Sequence, residues 1–366
     1  MDLTTVTDGA VVSVHATARR RPRAELERLT RLLNAFPQAL DDPCAATKLL
    51  EREVAERLGK AAAVLMPTGK MAQQVALRVH ADRRSGRRTV VAHPSNHLSL
   101  WEDENHSRLH NLHLRHAGDR YTLLADADID AAARAGDVAT VLWELPQREL
   151  GGELPTWDDL TAQLATARRC GAATHCDGAR IWQAEPFYGK PLAEICHGFD
   201  SVYASLYKDL EAPRGAVLVG DDQFVAAARA WRHRLGGGID EVWPLALLAL
   251  DGLHRVPDAM PRYVEHARAV ASAITRRTDA VVRPAVPHTA MFHVHLPVPA
   301  EAARQAHEEL SDAGGGLQLT LRIRTGPDPT RSWCELTFGE AAQRLPPTRI
   351  ADTVAQLITL ARRSLT

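Results

Sequence analysis

The chain has 366 residues, enough for one large domain with an appendage or for two domains. Lysine plus arginine number 44 against 45 acids, with 45% hydrophobic and 5% aromatic residues, and this balance leaves no overall basic field for nucleic acid. The first thirty residues hold no apolar signal-like core and no later stretch offers 18 uncharged apolar residues, so the expectations are a cytoplasmic address and no membrane partner.

In chain order, "AELERLTRLLNAF" and "AATKLLEREVAERLG" carry apolar residues at helical spacing on either side of "PQALDDPC", which predicts two helices around a turn, the second ended by Gly59. Short runs that are apolar throughout follow: "AAAVLMP", "TVVAH", "VATVLWEL", "AATHCDG", "SVYASLY" and "GAVLVG". They alternate with helical stretches such as "WDDLTAQLATARRCG", the pattern of a buried, mainly parallel sheet in an α/β domain. A long helix is predicted from "GLHRVPDAMPRYVEHARAVASAITRR", then β-like segments "MFHVHLPV", "LQLTLRIRT" and "SWCELTF", then a closing helix. The reading is an N-terminal segment 1–30, a large domain 31–253 and a small C-terminal α+β domain 254–366.

Three features carry candidate chemistry. "LMPTGKMAQQ" puts Thr68 and Gly69 between a strand and a helix, where first-turn N–H groups suit an anion. It is not a nucleotide P-loop, because Val64 replaces the first glycine and Met71 the Ser/Thr. "THCDGARIW" ends an apolar run in Asp177, with Arg180 three residues on; a structural ion pair between them is the plain alternative. "SVYASLYKDLEAPRG" places Lys208 after another strand-like run, where an exposed turn lysine is the plain alternative. Only five lysines occur in the chain. An acid and an amine at two strand ends, with an anion site upstream, are together what pyridoxal phosphate requires: the acid keeps the pyridine nitrogen protonated, the lysine bonds the cofactor and the helix start takes the phosphate.

With those segments in view, the chain resembles the threonine aldolase / β-eliminating lyase family of fold type I PLP-dependent enzymes. "MPTGKMAQQVAL" resembles its phosphate loop P-S-G-T-M-A-N-Q, "HCDGARIW" its H-x-D-G-A-R motif, "LYKDLEAPRGAVLVG" its S-K-G-L-G-A-P-x-G segment, and "RHRLGGGIDE" the glycine-rich stretch beyond. The resemblance implies a PLP-binding large domain with a small C-terminal domain. It implies Lys208 as the covalent lysine, Asp177 at the pyridine nitrogen, and Thr68, Gly69 and Lys70 at the phosphate. His97, in "PSNHLSLWE", is implied to stack on the cofactor ring, with Glu102 where the family often has an acid. The catalytic set is thus Lys208, His97 and Asp177; Arg180 lines the cofactor and, with Arg331, takes the substrate carboxylate. No metal is expected: the His106/His110 and His113/His116 spacings could chelate zinc, but no cysteine or H-E-x-x-H pattern accompanies them, and surface or supporting histidines are the reading.

Departures from the family pattern fall on the substrate side. Where the family has E-N-T-H-N the chain reads "ELPQRELGG", with Gln147 at the histidine's position and Arg148 beside it, both assigned to substrate binding. Asp240 stands in place of an arginine that reaches a neighbouring subunit. The resulting expectation is a lyase that takes a small amino acid and cleaves a β-hydroxy-α-amino acid to glycine, or a relative, and an aldehyde. The alternatives are β-elimination or racemisation on the same cofactor and, more remotely, a PLP-free α/β binding protein. A homodimer or homotetramer is implied by the same resemblance.

Overall fold

The computed structural model describes residues 12–14, 22–239, 241–312, 317–320 and 322–365. Asp240 lies outside them. The chain divides into two compact units: one holds Glu27–Glu149 and Leu154–Pro257, the other the N-terminal residues to Leu26, Leu150–Glu153 and Asp258–Thr366.

The larger unit is built on a seven-stranded sheet. Its strands are β1 (Ala62–Met66), β2 (Thr89–Ala92), β3 (His113–His116), β4 (Val138–Glu144), β5 (Ala173–Gly178), β6 (Ser201–Ser205) and β7 (Ala216–Gly220). The order across the sheet is β1-β7-β6-β5-β4-β2-β3. Only β7 runs against its neighbours; every other pairing is parallel. Parallel strands need both faces covered, and β2, β5, β6 and β7 are buried along their whole length. Helix α1 (Gly69–Asp82) supplies much of that cover, with Val75, Ala76 and Val79 packed among Val64, Met66, Leu218 and Phe224.

Two helices precede the sheet, Pro22–Ala35 and Ala45–Arg57, with a four-residue turn of helix between them at Gln38–Asp41. Gly59 follows at φ +63°, the left-handed conformation that stops the second helix. The long helix α3 covers Trp243–Arg277 and begins nine residues earlier than the sequence pattern around Gly252 suggested. The run "PLALLAL" is apolar all round and so lacks the one-sided stripe by which a helix is recognised. Buried Leu247, Leu248 and Leu250 explain why it is so.

The smaller unit has a four-stranded antiparallel sheet of β8 (Val281–Arg283), β9 (Met291–Leu296), β10 (Ile323–Thr325) and β11 (Ser332–Thr337), ordered β10-β11-β9-β8. Helices Ala300–Asp312 and Pro347–Arg363 belong to it, as does a short parallel pairing of Val12–Ser13 with Leu317–Gln318. Among the described residues no helix is long and apolar enough to cross a membrane.

Candidate active site

Parallel strands all end on one edge of a sheet, and three adjacent strands of the larger unit bring polar residues there in register. Glu144 at the end of β4 pairs with Asp177 on β5, which pairs with Tyr203 on β6. Laterally paired residues share a face, so the two acids and the phenol stand in one row. Asp177 is buried, and its Oδ1 accepts the N–H of Ala179 at 3.0 Å, a turn that Gly178 permits.

Helix α1 starts against that row. Thr68 is its N-cap, with Oγ1 accepting the Met71 N–H at 3.1 Å. The N–H groups of Gly69 and Lys70 lie in the first turn, where a helix offers no acceptor of its own. Gly69 is there because nothing larger fits: a Cβ would lie 2.1 Å from the Tyr203 hydroxyl. The Lys70 side chain is exposed. One turn on, the helix is fastened to the sheet by a buried polar chain. Gln73 Oε1 meets His175 Nε2 at 2.7 Å, His175 Nδ1 meets Ser201 Oγ at 2.7 Å, and His80 Nε2 meets the same hydroxyl at 2.7 Å. Burial pushes His175 down to about 3, so its ring is neutral and works as a hydrogen-bonding spacer.

Lys208 follows β6 in a half-buried turn. Its amine is lowered to about 8, first by withdrawal from water and second by the charge of Arg180, against the opposing pull of Asp177 and Glu144. The adjoining Asp209 is buried, accepts from Gln183 Nε2 at 2.7 Å and is pushed up by that burial. The Lys208 turn is seated by helix α3: a Cβ on Gly252 would lie 1.9 Å from the Leu210 carbonyl oxygen.

His97 opens helix α2 (His97–Trp101), which Asn96 caps by accepting the Ser99 N–H at 3.1 Å. Its Nδ1 meets Oε1 of the buried Glu102 at 2.8 Å. Glu144 links this wall to the next segment, Oε2 accepting the His97 N–H at 3.2 Å and Oε1 the Arg148 N–H at 3.1 Å. Burial, then the neighbouring Asp177, raises the Glu144 carboxyl to about 7. Gln147 is buried, donates to the Ser95 carbonyl at 3.4 Å and borders a small cavity with Leu123, Trp143, Glu144 and Gln163. The Arg148 guanidinium lies over the Trp101 ring at 5.9 Å.

The sequence-predicted residues Thr68, Gly69, Lys70, His97, Gln147, Arg148, Asp177, Arg180 and Lys208 thus belong to the larger unit. Arg331 belongs to the smaller one, exposed beside β11 with Nε 4.0 Å from Asp328 Oδ2. Sequence reasoning passed over Glu144 and Tyr203. The signal for Glu144 was present, since "VATVLWEL" ends a buried strand in an acid just as "AATHCDG" does. Three of the histidines of 93–116 have ordinary partners: His93 Nε2 on the Thr122 carbonyl, His110 on Gln74 and His116 on Ser99.

A mixed sheet with an acid and a shifted lysine at its strand ends, a helix start aimed at the same edge and a small antiparallel unit defines the fold type I class of PLP-dependent enzymes. These residues fit the cofactor: the glycine-lined helix start can take a phosphate, Asp177 a protonated ring nitrogen, and Lys208 is an amine that gives up its proton far more readily than an ordinary lysine. Residues 41–297 match the family model described as "Beta-eliminating lyase", and the chain belongs to that family. It is 32% identical over 295 residues to a probable low-specificity L-threonine aldolase 2 of Arabidopsis thaliana, covering 78% of this chain and 82% of the relative. A putative L-allo-threonine aldolase from Listeria monocytogenes superposes with a TM-score of 0.85 at 31% identity, over 96% of this chain and 97% of that one. A serine palmitoyltransferase of Sphingomonas wittichii, 14% identical with a TM-score of 0.70 over 97% and 87% of the chains, shares the fold.

Proposed function

We propose that this chain is a cytoplasmic PLP-dependent aldolase that cleaves a β-hydroxy-α-amino acid between Cα and Cβ, giving glycine and an aldehyde. The observation that carries the reading is the convergence of Asp177, Lys208 and the start of α1 on one sheet edge, with a carboxylate-held histidine beside it.

Asp177 would hold the ring nitrogen of the cofactor, the N–H groups of Gly69 and Lys70 its phosphate, and Lys208 its covalent bond. Bound there, pyridoxal phosphate supplies an electron sink for the charge left at Cα when a bond to that carbon breaks. Arg180, planar and always charged, takes the substrate carboxylate in a two-bond fork and so fixes which bond at Cα is aligned for cleavage. His97 accepts the β-hydroxyl proton at Nε2, because Glu102 occupies Nδ1 and fixes the tautomer. Gln147 carries no basic site; its amide orients the oxygen that becomes the aldehyde. Lys208, with its lowered amine, returns a proton to Cα.

Gln147 also favours a second reading, β-elimination or racemisation, since an amide cannot relieve a hydroxyl of its proton. Product analysis separates the two. The purified protein is expected to be yellow, with borohydride fixing the cofactor on Lys208, and a panel of β-hydroxy amino acids is expected to yield glycine and aldehyde in equal amounts. Pyruvate and ammonia without glycine would reject the aldolase reading, and a colourless protein that takes up no PLP would reject the cofactor. The family resemblance supports a homodimer or homotetramer, which light scattering tests.

A further inference from the structure

We infer that Glu211 is a positioning residue for Lys208: its ion pair with Arg255 holds the turn after the lysine in a backbone conformation that residue 211 would not keep unaided. The inference rests on the role given to Lys208 above.

Around the lysine the chain departs from the family pattern at two neighbouring places. Where S-K-G-L-G-A-P has glycine on either side of its leucine, this chain has Asp209 and Glu211. The backbone at 211 still suits glycine, because φ is +58°, in the left-handed region that other L residues avoid. Among the described residues six other than glycine have a positive φ, and Glu211 alone of them is not exposed. Its strain is also tied to the lysine. The Ala212 N–H bonds to the Leu206 carbonyl at 2.9 Å, which closes the turn around residues 207 to 211, so a change at 211 is passed to Lys208.

Side chains supply the hold. Arg255 Nη2 donates to Glu211 Oε2 at 3.2 Å, and the Glu211 side chain is only 11% exposed. An isolated pair in water would add little. This one is braced from behind: Arg255 Nε donates to Asp251 Oδ2 at 3.2 Å, and Asp251 also accepts from Arg28 Nε at 3.1 Å, on the helix Pro22–Ala35. The guanidinium thus reaches Glu211 already oriented on α3, the helix against which the Leu210 carbonyl packs at Gly252. On the other side of Leu210, Asp209 accepts from Gln183 Nε2 at 2.7 Å. Three consecutive residues after the lysine are each fixed from a different direction. Only at 211 does the fixing act against the backbone's own preference, so that is where a lost tether lets the turn relax.

The test follows Lys208 in the apoprotein in two ways: the rate at which pyridoxal phosphate is incorporated there, located by borohydride and peptide mapping, and the pH midpoint of its labelling by acetic anhydride, which needs no cofactor. Glu211→Gln keeps the strain and removes the charge. It is expected to slow incorporation about tenfold, the order of preference that the left-handed region costs a residue with a Cβ, and to move the labelling midpoint up from about 8 toward that of an ordinary lysine. Glu211→Gly removes the same carboxylate and the strain with it, and is expected to recover both readouts to within about threefold of wild type. Arg255→Gln is expected to slow incorporation about tenfold beside Glu211 and less than about twofold in the Glu211→Gly background, because it acts through residue 211. Unchanged readouts in Glu211→Gln, a Glu211→Gly variant as slow as Glu211→Gln, or an equal effect of Arg255→Gln in both backgrounds would overturn the inference. A wild-type protein that bonds no cofactor at Lys208, yet shows the expected pattern of labelling midpoints, would reject the cofactor reading and leave the tether standing.

Discussion

Gly252 lies on α3, far in sequence from Lys208, yet Gly252→Ala is expected to disable the lysine. The added Cβ would sit 1.9 Å from the Leu210 carbonyl oxygen and 2.8 Å from its carbon, where ordinary contact begins near 3.4 Å. Helix or turn must therefore retreat by about 1.5 Å. The obstacle is backbone, so no side-chain rotation relieves it. Overpacking of this kind costs about 1 to 3 kcal/mol, whereas alanine in place of glycine inside a helix returns about 1 kcal/mol. The net loss of stability is then no more than about 2 kcal/mol. Function is hit harder, because a shift of about 1 Å in a reacting group costs on the order of a hundredfold in rate. The assay pairs a urea unfolding curve with the rate at which the apoprotein incorporates pyridoxal phosphate at Lys208. The expectation is a small shift in the unfolding midpoint and about a hundredfold slower incorporation. Incorporation and turnover within threefold of wild type would show that Leu210 does not seat the lysine through α3.

Because burial and Arg180 lower the Lys208 amine to about 8, incorporation of the cofactor, which needs the uncharged amine, is expected to rise with pH, reach half its maximum near 8 and level off above 9. An ordinary lysine would still be rising at pH 10. Glu144→Gln leaves one of the N–H groups of His97 and Arg148 facing an amide NH2, a loss of about 1 to 3 kcal/mol. The Glu144 carboxyl is raised to about 7, so its protonated form favours the fold; that contribution is complete below about pH 4.5 and lost as pH rises through 7. The stability gap between wild type and Glu144→Gln should accordingly narrow from pH 5 to pH 8 in urea unfolding. His175→Leu strands Gln73 Oε1 and leaves the Ser201 hydroxyl with His80 as its side-chain partner, and is expected to cost about 1 to 3 kcal/mol and to weaken cofactor affinity by loosening α1, read by unfolding and PLP titration.

The residues proposed for the cofactor could be singled out in the sequence because the chemistry proposed for them is local. An acid, an amine and a helix start must each sit within a few residues of a strand end, so Asp177, Lys208 and Thr68-Gly69 each leave a short imprint on the chain. The sheet was legible for a similar reason, since strands buried on both faces read as unbroken apolar runs. What was hidden depends on neighbours distant along the chain. Glu144 becomes a partner of Asp177 only through the register of β4 with β5, and nothing within "VATVLWEL" states that register. Tyr203 and Gly69 limit each other across more than 130 positions of sequence. The early start of α3 was masked because a helix buried on every side loses the periodicity that betrays it.

The paired grip of Glu144 on His97 and Arg148 has a consequence for how this active site can change. Two segments that descend from different strands share one anchor, so they are not separate modules. A substitution at 147 or 148 that draws its backbone away also tilts the start of α2, and the histidine assigned to the proton moves with the arginine assigned to the substrate. New substrate preferences would then arise in this scaffold through exchanged side chains on a fixed backbone far more readily than through altered loop length. Grafting a related enzyme's segment here should succeed only when the acid that holds it is carried along.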